Sequence, residues 1–313
     1  MPANYSSDKL LLTVAGSSQG QALLSQLAGK WKNLRLGVHS EKSAAKPRSQ
    51  YPDAEIVEAD LDNVKAVQEL VKGVNVIFHL GPSFHSRETY VGLRVVDAAA
   101  AENRRQPGVI KHFVFSSVIG TQLHKLLNHD CKRPIEEALM ESGLPYTILQ
   151  PTHRMDMLPL KAILGQESPG PGAPLVFKAS WKPENKMSFV TLRDQTEAAK
   201  VVLEEQERHF YATYQLVSTP SPIPYTDFVK RAVAQAGREV EVGYKGFEES
   251  VAFYLDMLFG GEGKASPEVR DGLERMLLYY NDRGLWGSSN HLEWLLGRKG
   301  ETVEEWARGQ LTK

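Results

Sequence analysis

The sequence predicts an α/β fold in which a doubly wound parallel sheet carries a smaller, mostly helical C-terminal lobe. Short apolar runs rich in Val, Ile and Leu recur before residue 152, amphipathic stretches separate them, and helical patterns dominate after residue 219. Buried strands that alternate with helices indicate βαβ units, and right-handed crossovers turn such units into a doubly wound sheet. We therefore expect one large sheet with helices on both faces.

Six apolar runs before residue 152 are predicted to be strands of this sheet. They are the segments 10–15, 34–38, 54–59, 74–80, 111–117 and 146–151, with helices at 61–72 and 90–103 between them. Two more strands, at 187–192 and 210–218, are expected to return to the sheet. Asp194 is expected to cap the helix that follows it. The stretch 167–174 is predicted to be a loop because it is rich in proline and glycine.

The remaining segments predict the smaller lobe. Helical patterns cover 225–235, 247–259, 267–281, 291–296 and 302–311. We therefore expect the sheet domain to span residues 1–152 and to continue through 187–218. The second lobe would comprise residues 153–186 and 219–313.

Composition and charge argue against several classes of protein. The 313 residues carry a formal net charge of −1, which gives no electrostatic reason to expect nucleic acid or a membrane surface as partner. The single cysteine, Cys131, rules out an intrachain disulfide framework and fits a reducing compartment. No signal peptide or membrane-spanning stretch is visible, so a cytoplasmic location is expected. The histidines are too scattered to predict a metal site.

A glycine turn between the first strand and the first helix is the main candidate for a binding site. The turn consists of Gly16, Ser17, Ser18, Gln19 and Gly20. Bare backbone at such a turn lets amide groups approach a pyrophosphate, and the following helix contributes the positive end of its dipole. Ala22 stands where the usual fingerprint has a third glycine, so the spacing alone is a weak signal. Together with the predicted sheet, it indicates a dinucleotide-binding corner.

The tip of the second strand bears on the choice of cofactor. A protein specific for NAD usually has a carboxylate there, but this chain has His39, Ser40 and Lys42 around that position. These side chains are expected to hold a 2′-phosphate, which favours NADP(H). Glu41 keeps NAD(H) possible.

The turns after the third and fourth strands complete the predicted cofactor contacts. Asp60 is expected to accept a hydrogen bond from the adenine amino group, and Leu61 to pack on the base. Capping of the next helix explains Asp60 equally well. After the fourth strand, Leu80, Gly81 and Pro82 form a sharp turn beneath a cofactor. His79 is expected to be a core histidine.

Several features now stand in a recognisable order along the chain. They are the glycine turn, the acidic–leucine pair, FVFSSV at 113–118, a lysine-bearing helix before SGLPYTILQP at 142–151, and a helical tail. This order resembles the NmrA-like branch of the short-chain dehydrogenase/reductase superfamily, in a fungal-type member. The resemblance implies a Rossmann domain that binds NADP(H) or NAD(H) and a lobe that holds a substrate or partner. The branch includes quinone and isoflavone-reductase-like reductases, cofactor-sensing transcriptional regulators, and fungal proteins that catalyse cyclisation.

The chain departs from the superfamily at two positions. Its reductases use Tyr-x-x-x-Lys, in which the tyrosine donates a proton and the lysine lowers its pKa and holds the ribose. The resemblance places Lys132 at the lysine position, Asn128 at the tyrosine position and Val118 where a helper serine belongs. Lys132 is then either a proton donor, its pKa lowered by burial and a cationic nicotinamide, or only a ribose contact. His129 is the second catalytic candidate.

The predicted substrate contacts follow the sixth strand and continue in the tail. His153, Met155 and Met157 are expected to face the nicotinamide end, and Tyr279 and Trp286 to add an apolar wall. The leading prediction is an NADP(H)-dependent reductase of an apolar carbonyl or conjugated small molecule. A non-catalytic NAD(P) sensor that acts on a regulatory protein partner is the alternative. A non-redox cyclase is a third possibility.

Overall fold

The computed structural model describes residues 3–27, 29–170 and 172–312, apart from the side chain of Glu262. The strands are β1 (Lys9–Leu12), β2 (Asn33–Val38), β3 (Glu55–Glu58), β4 (Val76–Leu80), β5 (His112–Ser116), β6 (Tyr146–Pro151), β7 (His153–Arg154), β8 (Leu175–Ala179), β9 (Lys186–Met187), β10 (Phe189–Val190), β11 (Ala212–Leu216), β12 (Ile223–Pro224) and β13 (Val240–Tyr244). The helices are α1 (Ser18–Leu27), α2 (Glu41–Gln50), α3 (Val64–Val71), α4 (Glu88–Arg105), α5 (Leu127–Asp130), α6 (Arg133–Glu141), α7 (Leu160–Leu164), α8 (Leu192–Glu205), α9 (Tyr225–Ala234), α10 (Phe247–Phe259), α11 (Pro267–Arg283), α12 (Asn290–Leu296) and α13 (Val303–Leu311).

The described residues form two compact units. The first comprises those of Met1–Gln122, His129–Gln150 and Gln195–Tyr214. The second comprises those of Leu123–Asn128, Pro151–Asp194 and Gln215–Lys313. None of the helices in the described part of the chain has the length and apolar content needed to cross a membrane.

A seven-stranded sheet is the framework of the first unit. Its strand order is β11-β6-β5-β4-β1-β2-β3, and the neighbouring strands from β6 to β3 are parallel. The chain builds outward from β1 to β3 and then returns to build outward from β4, which is the doubly wound arrangement. The predicted α/β fold class is confirmed.

Apolar side chains on the central strands explain why this sheet forms. Leu11, Ile77 and Phe113, on neighbouring strands, are fully buried in one cluster with side chains of α3, α4 and α6. Parallel strands covered on both faces require such nearly continuous apolar runs. Burying one large apolar side chain contributes roughly 1.5–3 kcal/mol, so this cluster is a main source of the unit's stability.

One predicted strand does not join the sheet. Each of the six runs before residue 152 contains a strand of the sheet, and so does 210–218, but 187–192 divides into β9 and β10. These pair with β12 and β7 in short two-stranded ladders of the second unit. The division falls at Ser188, whose backbone N–H donates to Leu285 and whose carbonyl accepts from Thr152. The prediction of a single sheet strand at 187–192 is therefore wrong.

The second unit combines helices with short strand pairs. Helices α9 to α13 confirm the five helical segments predicted in the tail. The parallel pair of β8 and β13 was not predicted. Trp181 is buried and lies against Tyr225, Tyr254 and Tyr280, with ring centroids 5.0, 6.5 and 5.6 Å away. These aromatic contacts hold α9, α10 and α11 to one core.

Asp194 does not cap the helix that follows it, contrary to the sequence prediction. Helix α8 begins two residues earlier, and Thr191 Oγ1 accepts a hydrogen bond from Asp194 N at 3.1 Å. The fully buried Asp194 carboxylate accepts hydrogen bonds from Ser218 Oγ at 2.6 Å and Glu301 N at 2.7 Å. It also forms an ion pair with Arg298, 2.8 Å away. Asp194 thus joins the start of α8 to the segment before α13.

Candidate functional site

The turn between β1 and α1 is packed too closely against neighbouring backbone for side chains at two glycines. A Cβ atom at Gly20 would lie 2.5 Å from Val14 O, and one at Gly37 in β2 would lie 2.7 Å from Thr13 O. Only glycine permits such close approaches. The close packing therefore requires glycine at the end of the turn and at the neighbouring position of β2.

Hydrogen bonds tie this turn to the strands on both sides of β1. Ala15 N donates to Gly37 O in β2 at 2.9 Å, and Thr13 N donates to Phe78 O in β4 at 3.2 Å. Thr13 Oγ1 also accepts from Leu80 N at 3.0 Å. The turn's position is thus set by the sheet itself.

Polar side chains of the turn fix the beginning of α1. Ser17 Oγ accepts a hydrogen bond from Gly20 N at 3.0 Å and so caps the helix, whose first residue is Ser18. Gln19 Nε2 donates to Ser116 Oγ at the end of β5, 2.8 Å away. The positive end of α1 therefore lies at the carboxyl edge of the sheet, where it favours an anion.

The tip of β2 carries three predicted contacts, His39, Ser40 and Lys42. Ser40 also caps α2, since its Oγ accepts from Ser43 N at 3.4 Å in a capping box. The Glu41 carboxylate forms an ion pair with Arg48, and their hydrogen bond lowers the pKa of Glu41. This carboxylate is therefore engaged by a side chain of its own helix.

Asp60 is exposed at the end of β3 and does not cap the next helix. Its Oδ1 accepts a hydrogen bond from Asp62 N at 2.9 Å, within the turn. Helix α3 is capped by Asn63, whose side chain accepts from Ala66 N at 3.2 Å. The capping explanation of Asp60 is therefore wrong. Leu61 is half-buried beside it.

His79 in β4 is a core residue, as predicted. Its ring is fully buried and stacks on Phe115, with centroids 5.5 Å apart, and its Nδ1 lies 3.0 Å from Thr13 Oγ1. Burial lowers the pKa of His79 to about 3. The ring is therefore neutral at physiological pH.

The turn after β4 brings a carboxylate close to Lys132. A Cβ atom at Gly81, which precedes Pro82, would lie 3.5 Å from Glu88 Oε1. Glu88 at the start of α4 forms a buried ion pair with Lys132; the two residues are 4% and 8% exposed. Sequence reasoning missed Glu88. Its one signal is an acidic side chain in a first helical turn, where the dipole favours it.

Burial and the ion pair act on the Lys132 ammonium in opposite directions. Burial, the largest cause, lowers the pKa of Lys132 because it disfavours the cation, but Glu88, Cys131 and Glu136 together raise it, and the net shift is upward. The expectation of a net lowering of this pKa is therefore wrong, because it did not include Glu88. Lys132 carries a proton at neutral pH.

Lys132 lies between two helices and not inside one. Helix α5 ends at Asp130, Lys132 is the N-cap residue of α6, and Pro134 stands in the first turn of α6. Proline lacks a backbone N–H and is favoured in the first turn of a helix, which fits the start of α6 here. The single helix expected to carry Asn128 and Lys132 is therefore wrong.

The neighbours of Lys132 are largely enclosed. His129 is 3% exposed, and its Nδ1 donates to Ile119 O at 2.6 Å. Burial raises the pKa of the Cys131 thiol to about 12, which keeps it protonated and weakly nucleophilic. No group of three or more His, Cys, Asp or Glu side chains within residues 3–27, 29–170 and 172–312 is arranged to hold a metal ion.

A second buried carboxylate lies one turn further along α6. Glu136 accepts hydrogen bonds from Ser117 Oγ at 2.5 Å, Thr121 Oγ1 at 3.0 Å and Gln150 Nε2 at 2.9 Å. Neutral donors of this kind satisfy a buried carboxylate. Ser117, beside the predicted helper position at Val118, is thereby engaged within the unit.

We expect Glu88→Gln to lower the pKa of Lys132 below its ordinary value. The substitution removes the negative charge of Glu88, which raises this pKa, and leaves burial, the largest cause, in place. A carbon-13 NMR titration of the lysine Cε signals measures this pKa, with Lys132→Met assigning the signal. Glu137→Gln, which removes an exposed partner of Arg133, is the control and should leave the pKa unchanged. An identical Lys132 titration in Glu88→Gln would contradict the assigned role of the pair.

The predicted substrate residues of the second unit lie in different surroundings. They are His153, Met155, Met157, Tyr279 and Trp286. Met155 is fully buried, whereas Met157 and Trp286 are 40% and 63% exposed. His153 packs edge-on against Trp181, and burial lowers the pKa of His153 to about 4. Tyr279 lines a cavity of ≈ 650 Å³ within this unit.

Comparisons with known proteins agree with this fold. A model of the NmrA-like family matches residues 6–250. The chain is similar in structure to the NADPH-dependent quinone oxidoreductase QOR2 of Escherichia coli (20% identity, 96% of this chain and 99% of that chain, TM-score 0.74). It is also similar to the Citrobacter sp. triphenylmethane reductase (20% identity, 97% and 100% covered, TM-score 0.74).

A third similar structure is NmrA, a negative transcriptional regulator, in complex with NAD (17% identity, 96% of this chain and 94% of that chain, TM-score 0.72). No curated protein sequence matches this chain. At these identities the structural likeness establishes the fold alone.

Proposed function

The chain belongs to the NmrA-like family, and from this premise we propose that it binds NADP(H) and reduces an apolar carbonyl or conjugated small molecule. The observation that most directly supports dinucleotide binding is the turn between β1 and α1. Its backbone and the N-terminus of α1 lie at the carboxyl edge of the sheet. Two relatives of the same fold support it: QOR2, complexed with NADPH, and the triphenylmethane reductase, complexed with NADP(H).

The residues of the first unit fit a dinucleotide. A Cβ atom at Gly20 would fill the space against the turn, and the N-terminus of α1 offers the positive end of a dipole to a pyrophosphate. His39, Ser40 and Lys42 at the tip of β2 suit a 2′-phosphate. The exposed Asp60 carboxylate at the end of β3 suits the adenine amino group. These contacts are the reason for preferring NADP(H) to NAD(H).

Lys132 serves this reaction as a cation. A bound, reduced dinucleotide would supply the hydride. Because the net shift in the pKa of Lys132 is upward, the ammonium keeps its proton and would donate hydrogen bonds to a ribose. The proton for the reduced substrate would then come from water.

A second candidate function is a dinucleotide sensor with little or no turnover. Asn128 in the tyrosine position cannot act as an acid, and Ser117 donates to the Glu136 carboxylate. These two observations favour binding without catalysis, and NmrA itself is a regulator seen with NAD. A regulatory protein partner, the fungal type and a role in secondary metabolism stay predictions.

We expect NADPH to bind at least about tenfold more tightly than NADH, which corresponds to about 1.4 kcal/mol. Titrations with NADPH, NADH, NADP⁺ and NAD⁺ measure this, followed by NADPH oxidation against panels of quinones and enones. The double variant Lys132→Met with Glu88→Gln should lower kcat/KM by about 10- to 100-fold, through the loss of a charged hydrogen bond. Because this double variant replaces both members of the ion pair, it leaves no buried carboxylate unpaired. Lys65→Met, on the exposed side of α3, is the control and should match the wild type.

The outcomes separate the two functions. Turnover that depends on Lys132 rules out the sensor. Strong preference for one redox state of the dinucleotide with no turnover on either panel rules out the reductase. Failure to bind any of the four dinucleotides overturns both.

A further inference from the structure

The cavity of ≈ 650 Å³ in the second unit has an apolar floor. Tyr244 ends β13, Phe247 begins α10, and Leu278 and Tyr279 project from α11. A volume of this size falls in the range of sites that enclose a small organic ligand. Aromatic and aliphatic faces of this kind favour a flat, conjugated molecule.

Four cations stand around this floor, and two of them have carboxylate partners. Arg275 pairs with Asp271 at 2.9 Å, and Arg283 pairs with Asp282 at 3.2 Å. The other two are Lys125 and Lys182, and no ion pair joins either ammonium to a carboxylate of the described residues. The excess positive charge at the cavity therefore comes from these two lysines.

Hydrogen bonds of Asn281 order the side of the cavity that carries Lys182. Asn281 Oδ1 accepts from Lys182 N at 2.8 Å, and Asn281 Nδ2 donates to Tyr244 Oη at 3.0 Å. The side-chain amide of Asn281 thus fixes the Lys182 backbone relative to the Tyr244 ring. This arrangement places a cation beside an aromatic face without a ligand having to order either one.

The positive charge is local, because the whole chain has a formal net charge of −1. A generally basic surface would not explain two unpaired lysines beside an apolar floor. A neutral ligand could gain only hydrogen bonds from them, whereas an anion would also gain from the charges of both.

We infer that this cavity binds a planar aromatic anion of small-molecule size, with its ring on Tyr279 and Phe247 and its charge between Lys125 and Lys182. The site goes beyond the proposed function, because it lies within the second unit and binding there does not depend on hydride transfer. Its ligand class is a conjugated carboxylate or sulfonate.

Two fluorescent probes test this directly: 8-anilinonaphthalene-1-sulfonate and N-phenyl-1-naphthylamine, which has the same ring system without the sulfonate. In the double variant Lys125→Met and Lys182→Met, we expect the Kd of the sulfonate to rise at least about tenfold, which corresponds to about 1.4 kcal/mol. The Kd of the neutral probe should stay within about twofold of the wild type. Lys230→Met, exposed on α9, is the matched control and should change neither.

The sulfonate titrations are repeated with excess NADP⁺ to separate this site from a dinucleotide site. The inference is supported if the sulfonate still binds in excess NADP⁺ and its binding still depends on the two lysines. This holds whether or not the protein turns over NADPH. The inference is overturned if NADP⁺ displaces all of the sulfonate. It is also overturned if the double variant, with an unchanged circular dichroism spectrum, binds the sulfonate as the wild type does or loses both probes equally. Tyr279→Ser should weaken both probes, because it removes the ring surface they share.

Discussion

Asp194→Ala should lower the free energy of unfolding of the second unit by about 3–5 kcal/mol. The carboxylate is fully buried, and its removal leaves Ser218 Oγ and Glu301 N without their acceptor. Each buried donor left unsatisfied costs about 1–3 kcal/mol. The Arg298 side chain is 34% exposed, so it can turn to water and adds little to the loss.

Urea unfolding followed by tryptophan fluorescence measures this loss. Four of the five tryptophans, Trp181, Trp286, Trp294 and Trp306, lie in the second unit, so the signal reports mainly on it. Asp271→Ala is the control: it breaks an exposed ion pair with Arg275, and such pairs contribute about 0–1 kcal/mol. If both variants lose the same small amount, Asp194 does not stabilise the unit as its contacts indicate.

Lowering the pH from about 7.5 to about 5 should cost the first unit about 4 kcal/mol through two buried histidines. Burial lowers the pKa of His79 to about 3, and burial together with His209 lowers the pKa of His112 to about 3. Both values lie below the ordinary 6.5, so the unfolded chain binds more protons in this range. Above about pH 6.5 the two histidines take nothing from the free energy of unfolding of the first unit. As the pH drops toward 3 this free energy falls, and at pH 5 each histidine has lowered it by about 2 kcal/mol.

Urea unfolding at both pH values, followed by far-ultraviolet circular dichroism, measures this dependence. His112→Gln is the informative variant, because the glutamine amide can still donate to Thr147 Oγ1, which lies 2.8 Å from His112 Nε2. It should remove about half of the pH-dependent loss. His124→Gln is the control, since that side chain is exposed and belongs to the second unit. A pH-dependent loss as large in His112→Gln as in the wild type would contradict the assignment.

Local apolar pattern was sufficient to predict the sheet, because its central strands β4 and β5 are buried on both faces. Ile77 and Phe113 stand in runs that only a covered parallel strand explains. The same signal is missing from α2, whose residues are mostly polar and include Pro47. This helix is stabilised instead by the Ser40 cap and by the burial of Ala44 and Pro47. Strands β8 and β13 were missed because Leu175 pairs with Val240, far along the chain.

The candidate site was predictable in part for a similar reason. The glycine turn is local in sequence, and the resemblance supplied Lys132. The role of Glu88 could not be predicted from the sequence, because its contact with Lys132 depends on how the starts of α4 and α6 pack together. The direction of the Lys132 pKa shift follows from that tertiary contact, so it too could not be read from the sequence.

The bonds that fix the turn after β1 have a consequence for affinity. Ala15 and Thr13 are held by Gly37 on one side and by Phe78 and Leu80 on the other. Fixing one backbone residue costs roughly 1–2 kcal/mol of conformational entropy. That entropy is lost here when the sheet folds, so a ligand at this turn meets backbone that is already ordered. Its binding free energy is not reduced by the ordering of a loop.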